Sequence, residues 1–317
     1  MIRKGQWVDN DTGDILYPQT SADMITEDSS HRFVTDAEKA NWNSIPRDNI
    51  LVNGDFRYSA INQRGASVYN SNAIYTIDRW FVGSAAGSEV AVYTMNVYGT
   101  FIKIQNTGTP TIVFRQPFVG ALDSNSYTVF VKVRNIVGTC TIVAKDANNS
   151  TLGNKTLAKG DNILTFEGSP KMIEVQIASG GTIELQCVKL EEGSAFTGMA
   201  VFNKELELIK CQSKTLVINT NDKASFFVGA TSARTSRIAM YIPLPVKLRK
   251  TPSATGNYTI KFRYYTDSEH WALAPIDEIS VCTDNQVVLV LSVEGLERNV
   301  VGECYVEGRL ILDAEIY

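Results

Sequence analysis

The feature that most constrains this chain is a two-residue alternation of apolar and polar side chains, repeated between turn-forming breaks. Tyr127-Thr-Val-Phe-Val-Lys-Val-Arg134 sets Tyr127, Val129, Val131 and Val133 on one face, with Thr128, Phe130, Lys132 and Arg134 on the other. Successive side chains of a strand point to opposite faces of a sheet, so this segment suits a half-buried strand. Similar runs recur at Val90–Met95, Phe101–Ile104, Ile112–Phe114, Thr139–Ala144, Ile173–Ile177 and Ile183–Leu190. Between them lie Asn106-Thr-Gly108, Asp146-Ala-Asn-Asn-Ser150 and Ser179-Gly-Gly181, all rich in residues that favour tight turns. Many short strands with no helical rhythm between them argue against a parallel nucleotide-binding sheet and for a sandwich. Residues 49–195 are therefore expected to form a jelly roll.

The flanks read differently. Trp7-Val8 and Ile15-Leu16 bracket the turn formers Asp9-Asn-Asp-Thr-Gly-Asp14, which predicts a hairpin. The Asp-x-Asp-x-Gly pattern also suits a calcium loop, but the bidentate Glu would fall on Thr20, so no metal is expected there. Thr35-Asp-Ala-Glu38 forms a capping box for a short helix over about 36–42. Two turns with so few apolar residues cannot stand alone, so this helix must pack on copies of itself or on a dock. After Phe196 the pattern changes again: Asn203 can cap a helix carrying Leu206, Leu208 and Ile209. The remainder is β-like, with strands expected at Val287–Val293, Cys304–Val306 and Leu310–Tyr317. Pro243 and Pro245 cannot donate to a ladder, which predicts an edge position for Tyr241–Arg249. The expected fold is mainly β: an N-terminal hairpin plus short helix (1–48), a central jelly-roll β-sandwich (49–195), and a C-terminal β domain opened by one helix (196–317).

A net charge of −4 and a pI near 5.4 leave no basic stripe to neutralise a phosphate backbone, so nucleic acid is not an expected partner. No run approaches the ~18 apolar residues of a membrane span. No apolar stretch follows Met1-Ile-Arg-Lys4, and no secretion signal is expected. The five cysteines, Cys140, Cys187, Cys211, Cys282 and Cys304, are odd in number and widely spaced, which fits buried thiols better than zinc or disulfides. Only His31 and His270 could serve histidine chemistry, and both sit in polar words that suit structural hydrogen bonding. Glu167, Glu174, Glu184, Glu191 and Glu192 are candidate paired acids for glycoside hydrolysis, but strand alternation predicts solvated faces for them. There is no phosphate-cradling glycine loop and no Gly-x-Ser-x-Gly elbow. The expectation is no catalytic residue, no metal, no cofactor, and hence no enzyme.

Four word-like segments follow one another along the chain. They are Ile15-Leu-Tyr-Pro-Gln-Thr-Ser-Ala-Asp23; His31-Arg-Phe-Val-Thr-Asp-Ala-Glu-Lys-Ala-Asn-Trp42; Leu51-Val-Asn-Gly-Asp-Phe56 with Ile77-Asp-Arg-Trp80; and Glu205-Leu-Glu-Leu-Ile-Lys-Cys-Gln212. Together they resemble the tail-fibre and baseplate receptor-binding proteins of bacteriophages. Proteins of that group often open a domain with Asn53-Gly-Asp-Phe56, Gln63-Arg-Gly65 and Asp78-Arg-Trp80, and close it with a strand like Val188-Lys-Leu-Glu-Glu-Gly-Ser194. Family members typically continue the later helix into Cys-Gln-Arg-Tyr-Tyr, whereas here Ser213-Lys-Thr follows Cys211-Gln212. Pro245-Val-Lys-Leu-Arg249 looks like the family's Pro-Val-Met-Arg segment, with Leu248 in the Met place.

The resemblance implies a virion protein made in the host cytoplasm. It would be assembled as a homotrimer with other tail or baseplate proteins and would adhere to host-surface polysaccharide. Its jelly roll would be of the kind found in carbohydrate-binding modules. Asn53, Asp55, Phe56, Asp78, Arg79 and Trp80 are then family-word residues, with Trp80 as a core anchor. Sugar binding needs an exposed aromatic face with polar groups around it. Tyr264 and Tyr265 with His270 and Trp271 are the first candidates for that, and Tyr58, Tyr69 and Tyr75 the second. Two alternatives stand beside adhesion: a purely architectural fibre or head fibre without a receptor site, and a fibre-borne polysaccharide depolymerase.

Overall fold

The computed structural model describes residues 7–8, 15–16, 38, 45–58, 60–66, 68–69, 74–84, 90–93, 101–118, 124–220, 225–234, 237–265, 269–283, 285–293 and 301–314. The chain divides into Met1–Pro46 and Arg47–Tyr317. In the first unit β1 (Trp7–Val8) pairs antiparallel with β2 (Ile15–Leu16), Trp7 opposite Leu16, as turn formers between two apolar pairs predict. Glu38 is helical and exposed. The rest of the expected helix over 36–42, the Asp9–Asp14 loop and His31 lie outside the described residues.

The second unit begins with a sandwich. Its strands are β3 (Val68–Tyr69), β4 (Ile74–Tyr75), β5 (Phe81–Ser84), β6 (Val90–Tyr93), β7 (Ile102–Asn106), β8 (Ile112–Pro117), β9 (Ser126–Val137), β10 (Cys140–Lys145), β11 (Thr151–Thr156), β12 (Gly160–Glu167), β13 (Met172–Ile177) and β14 (Thr182–Glu192). One antiparallel sheet runs β11-β10-β13-β8-β5-β4 and the other β12-β9-β14-β7-β6-β3. Consecutive strands repeatedly fall in different sheets, as in a jelly roll. Alternation decides what lies between the sheets. Val82, Phe114, Val175 and Ile142 stand in one register row of the first sheet, and Leu164, Val129 and Leu190 in a row of the second. Trp80 fills the core, stacked on Phe114 at 4.7 Å and edge-on to Phe56 at 5.7 Å.

A bulge near Gln186 resets the period of β14: Ile183 and Leu185 face the core before it, and Val188 and Leu190 after it. The shift sends Lys189 and Glu191 to the outer face. There they are buried rather than solvated, each 1% exposed and paired at 2.9 Å. Glu174 on β13 is likewise 1% exposed. For these two acids the expectation of a wet face fails. In each case longer neighbours and a counter-charge cover the carboxylate.

The rest of the unit is one helix, α1 (Lys204–Gln212), and a nine-stranded sheet. The strands are β15 (Thr215–Thr220), β16 (Ser225–Arg234), β17 (Arg237–Pro243), β18 (Ser253–Thr255), β19 (Tyr258–Tyr265), β20 (Glu269–Leu273), β21 (Ile276–Thr283), β22 (Gln286–Ser292) and β23 (Val301–Asp313). The main order is β20-β19-β23-β16-β17-β22-β21, with β15 and β18 also on β23. A second buried cluster, including Ile238, Met240, Ile242, Leu289, Leu291, Leu310 and Leu312, lies against this sheet. Asn203 caps α1 by accepting from Leu206 N at 3.0 Å. The helix does not bury the residues that alternation suggested: Leu206 and Ile209 are about half exposed, and Cys211 is the buried one. Pro243 falls where its strand has a single neighbour, as the edge expectation for Tyr241–Arg249 requires. Its strand lies between β16 and β22, yet the β16 pairing stops at Ala239, so Pro243 bonds only toward Gln286 and costs the ladder little.

The two β bodies meet at a polar seam made by Gln63-Arg-Gly65. Gln63 Nε2 donates to Asp78 Oδ2 at 2.7 Å and to Thr215 O at 2.8 Å. Arg64 lies 3.5 Å from Asp78 and 2.9 Å from Asp313, at the end of β23. Arg309 donates in return to Arg64 O. Gly65 has φ +73°, a left-handed conformation that favours glycine, and it lets the Arg309 guanidinium approach closely. Arg64→Ala should destabilise the protein by about 2 kcal/mol: it removes the charge-assisted contact to Asp313 and the longer one to the buried Asp78, which Gln63 continues to hold. Denaturant unfolding checks this, and a loss below about 1 kcal/mol would show that the seam contributes little.

Candidate functional site

The residues marked by the family words are committed to the interior. Asn53, at φ 56°, donates through Nδ2 to Ile61 O at 2.8 Å and to Asp78 O at 2.9 Å, and its Oδ1 accepts from Ile61 N at 2.8 Å. Trp80 Nε1 donates to Asn53 O at 2.9 Å. Arg79, at φ 73°, is buried and reaches Pro117 O at 3.2 Å. Asp55 accepts from Arg57 Nε and Nη2 at 2.8 and 2.7 Å, and Phe56 is fully buried. This set holds loops in place, and of its members only Asp55 reaches the groove described below.

The aromatic candidates separate. Tyr264, Tyr265, His270 and Trp271 lie on the β19–β20 hairpin, Tyr264 opposite His270 and Arg263 opposite Trp271. The backbone thus brings all four to one hairpin; their side chains lie outside the described residues. Tyr69 and Tyr75 do not fit a stacking role, because both are buried. Tyr69 donates to Asn62 Oδ1 at 2.6 Å and Tyr75 packs edge-on to Phe81 at 5.4 Å. Burial pushes the Tyr69 phenol up to about 12. Tyr58 differs: it is 56% exposed and stacks on Phe202 at 5.2 Å and 12°.

Tyr58 and Phe202 stand near a groove of about 80 Å³, lined among others by Asp48, Asn49, Asp55, Phe202, Leu206 and Lys210. The groove exists because residues 194–203 are strapped across the outer face of the second sheet. Phe196 stacks on Phe130 at 4.0 Å. Lys189 Nζ donates to Gly198 O at 2.6 Å, and Glu191 accepts from Thr197 N at 2.8 Å and from the Thr197 hydroxyl. On the other wall Glu207 of α1 accepts from Asn53 N at 2.8 Å and pairs with Lys210 at 2.8 Å. The hydrogen bonds and charge of Asp55 hold the Arg57 guanidinium above its ordinary pKa. Mixed apolar and polar walls beside an exposed aromatic pair suit an amphipathic ring such as a sugar. Phe202 and the strap carried no alternation or motif that could have marked them in the sequence. Tyr58 was visible as one aromatic among three.

Cys140, Cys187 and Cys304 are buried and not poised for chemistry. Burial raises Cys140 to about 11 and both Cys187 and Cys304 to about 12. The Asp55 carboxylate adds to the effect on Cys187, to which Asp55 is bridged through the backbone. All three should resist alkylation in the native protein near pH 8 and react fully once it is unfolded. Peptide mapping of Cys140, Cys187 and Cys304 after a timed iodoacetamide pulse checks this, and fast native labelling of Cys187 would contradict it.

No family model and no curated protein matches the chain. Among solved structures it is similar to the family 11 carbohydrate-binding module of the cellulosomal cellulase Lic26A-Cel5E of Clostridium thermocellum. Identity there is 12% and the TM-score 0.25, over 41% of this chain and 96% of that one. A family 29 carbohydrate-binding module, CBM29-2, matches at 10% identity and TM-score 0.27, over 43% and 99%. The enzymatically active domain of tailspike protein 4 of bacteriophage CBA120 matches at 13% identity and TM-score 0.27, over 46% of this chain. The chain spans about a fifth (21%) of that tailspike domain. All three are weak matches.

Proposed function

We propose that this chain is a non-enzymatic bacteriophage virion protein, a tail-fibre or baseplate receptor-binding protein, which acts as a homotrimer and adheres to host-surface glycan. The observation that carries the adhesive part is the stack of the exposed Tyr58 on Phe202 beside a groove lined by Asp48 and Lys210. A pyranose laid on that pair would bury its apolar face while its hydroxyls meet the groove. The virion setting rests on the resemblance of the sequence words. Their convergence supports it: Asn53, Gln63, Arg64 and Asp78 lie far apart from Thr215 and Asp313 in sequence but form one hydrogen-bonded seam. In this reading 1–48 attaches to the virion, 49–195 is the sugar-binding module and 196–317 the tip. The hairpin carrying Tyr264, Tyr265, His270 and Trp271 is a second aromatic candidate for the receptor.

The buried acids support adhesion over hydrolysis. Asp55 serves Arg57, Asp78 serves Gln63 and Arg64, Glu174 serves Lys145 and Arg115, and Glu191 serves Lys189 and Thr197. One observation favours the architectural alternative. Val201 is 98% exposed, with Leu206 and Ile209 half exposed on the neighbouring helix, and a second copy that covered them would also restrict the groove.

Glycan-array binding and light scattering on the full chain separate these readings. The expected outcome is a trimer that binds a surface polysaccharide without releasing reducing ends. Tyr58→Ala should weaken binding roughly tenfold or more, because aromatic stacking contacts contribute on the order of 1–2 kcal/mol. Trp271→Ala is read in parallel, and loss through it alone would move the receptor site to the hairpin. A monomer, or a trimer that binds no glycan, overturns the adhesin; a trimer broken by Val201→Lys with no glycan bound would select the architectural role.

A further inference from the structure

The outer face of the first sheet carries a cluster of two cations around one buried carboxylate. Phe81 of β5, Arg115 of β8 and Glu174 of β13 are register partners across three adjacent strands. Lys145 of β10 reaches the same carboxylate from the far side, at 3.3 Å, and Gln176 Nε2 donates to it at 3.1 Å. Glu174 is thus a buried anion with a cation on each flank. One carboxylate faces two cations, Arg115 and Lys145, which leaves the cluster with a net positive charge.

Arg115 is the telling member. Its guanidinium lies over the Phe81 ring at 5.0 Å and comes no closer than 3.7 Å to Glu174, too far for a hydrogen bond. Among the described residues it donates to no acceptor, although the side chain is 29% exposed. A planar fork backed by an aromatic ring, with its donor edge unused, is shaped for a bidentate oxyanion. Lys145 lies across Glu174 with 16% exposure; its Nζ also donates to Asn149 Oδ1 at 3.1 Å, and its remaining donor capacity and charge add to the positive field beside Arg115.

We propose that Arg115 and Lys145 form an oxyanion-binding site on the outer face of this sheet. It takes the carboxylate of an acidic sugar or the phosphate of a phosphate-bearing polymer. Both groups offer paired oxygens to the Arg115 fork, and Lys145 adds charge without directional demand. Glu174 sets the level: it keeps the two cations in place while cancelling part of their field. The site is separate from the Tyr58 groove, and either can fail without the other.

Isothermal titration of the full chain with inorganic phosphate, with a galacturonate oligomer and with neutral dextran tests this. Binding of phosphate alone identifies the polymer phosphate as the source, and binding of galacturonate alone identifies the acidic sugar. If neither binds, the proposal falls. Arg115→Gln should weaken the bound oxyanion at least about tenfold, the cost of a lost charge-assisted contact, and Arg115→Lys should recover only part of it. Glu174→Gln should tighten binding, the opposite of what a damaged fold would do, so it decides the matter even if the arginine variants fold poorly. Unchanged affinity in Arg115→Gln, or weaker affinity in Glu174→Gln, would overturn the assignment.

Discussion

The described structure of Arg47–Tyr317 depends on one buried polar hub beneath Trp80. Asp78 is fully buried and would cost several kcal/mol if unpaired. It is tolerated because Gln63 offers both a backbone and a side-chain donor, at 3.2 and 2.7 Å, with Arg64 close behind. Asn53 closes the hub from the other side, using its amide and its carbonyl to hold both Ile61 and the Asp78 backbone. The hub orients the loop that presents Trp80 to the core and, through Arg64, carries the same network to Thr215 and Asp313. Replacing it with apolar groups could keep the sandwich closed. Only a directional network also sets where the second sheet docks.

The same logic explains the outer faces. A sheet face away from the core is normally wet, yet here both outer faces carry buried acids with lysine or arginine partners. On one face the strap over 194–203 completes the burial. Phe196 covers Phe130, and Lys189 and Glu191 are satisfied by backbone groups of the strap as well as by each other. That satisfaction is what makes a fully buried ion pair tolerable. On the other face Arg115 and Lys145 flank the buried Glu174, and the Arg115 side chain is 29% exposed.

How far this was legible in the sequence follows from which strands have two different faces. β9 and β13 read clearly because an apolar side chain recurs at every second, core-facing position. β11, Thr151–Thr156, is an edge strand with no buried residue, and nothing in Thr-Leu-Gly-Asn-Lys-Thr announces it. β23 read as two pieces because Gly308 divides its apolar run, with Gly302 near its start. Both glycines admit close backbone neighbours on β19, so the interruption is the device that lets thirteen residues pair with several strands. The bulge in β14 was invisible for the same reason: a change of parity in Leu-Gln-Cys-Val-Lys looks like noise until the partner strand is known. At the candidate site Tyr58 could be named as an aromatic, but its exposure depends on Phe202, 144 positions away. Arg115 had no local mark at all, since an arginine in an alternating strand reads as ordinary solvated charge.

A groove of about 80 Å³ is well below the several hundred Å³ of sites that enclose their ligands. Tyr58 and Phe202 can cover one face of a ring and leave the other in water, which limits the apolar area removed from solvent and therefore the affinity of one site. Weak single sites suit a surface polymer, whose repeating units keep the next ligand close after each release. On a trimer of the kind proposed above, three grooves would share one polymer surface, and each engagement after the first would be intramolecular. Affinity would then come from the number of grooves and the spacing between them, not from deepening any one of them. Rigid presentation becomes the property to protect, and a buried network that locks two β bodies together provides it.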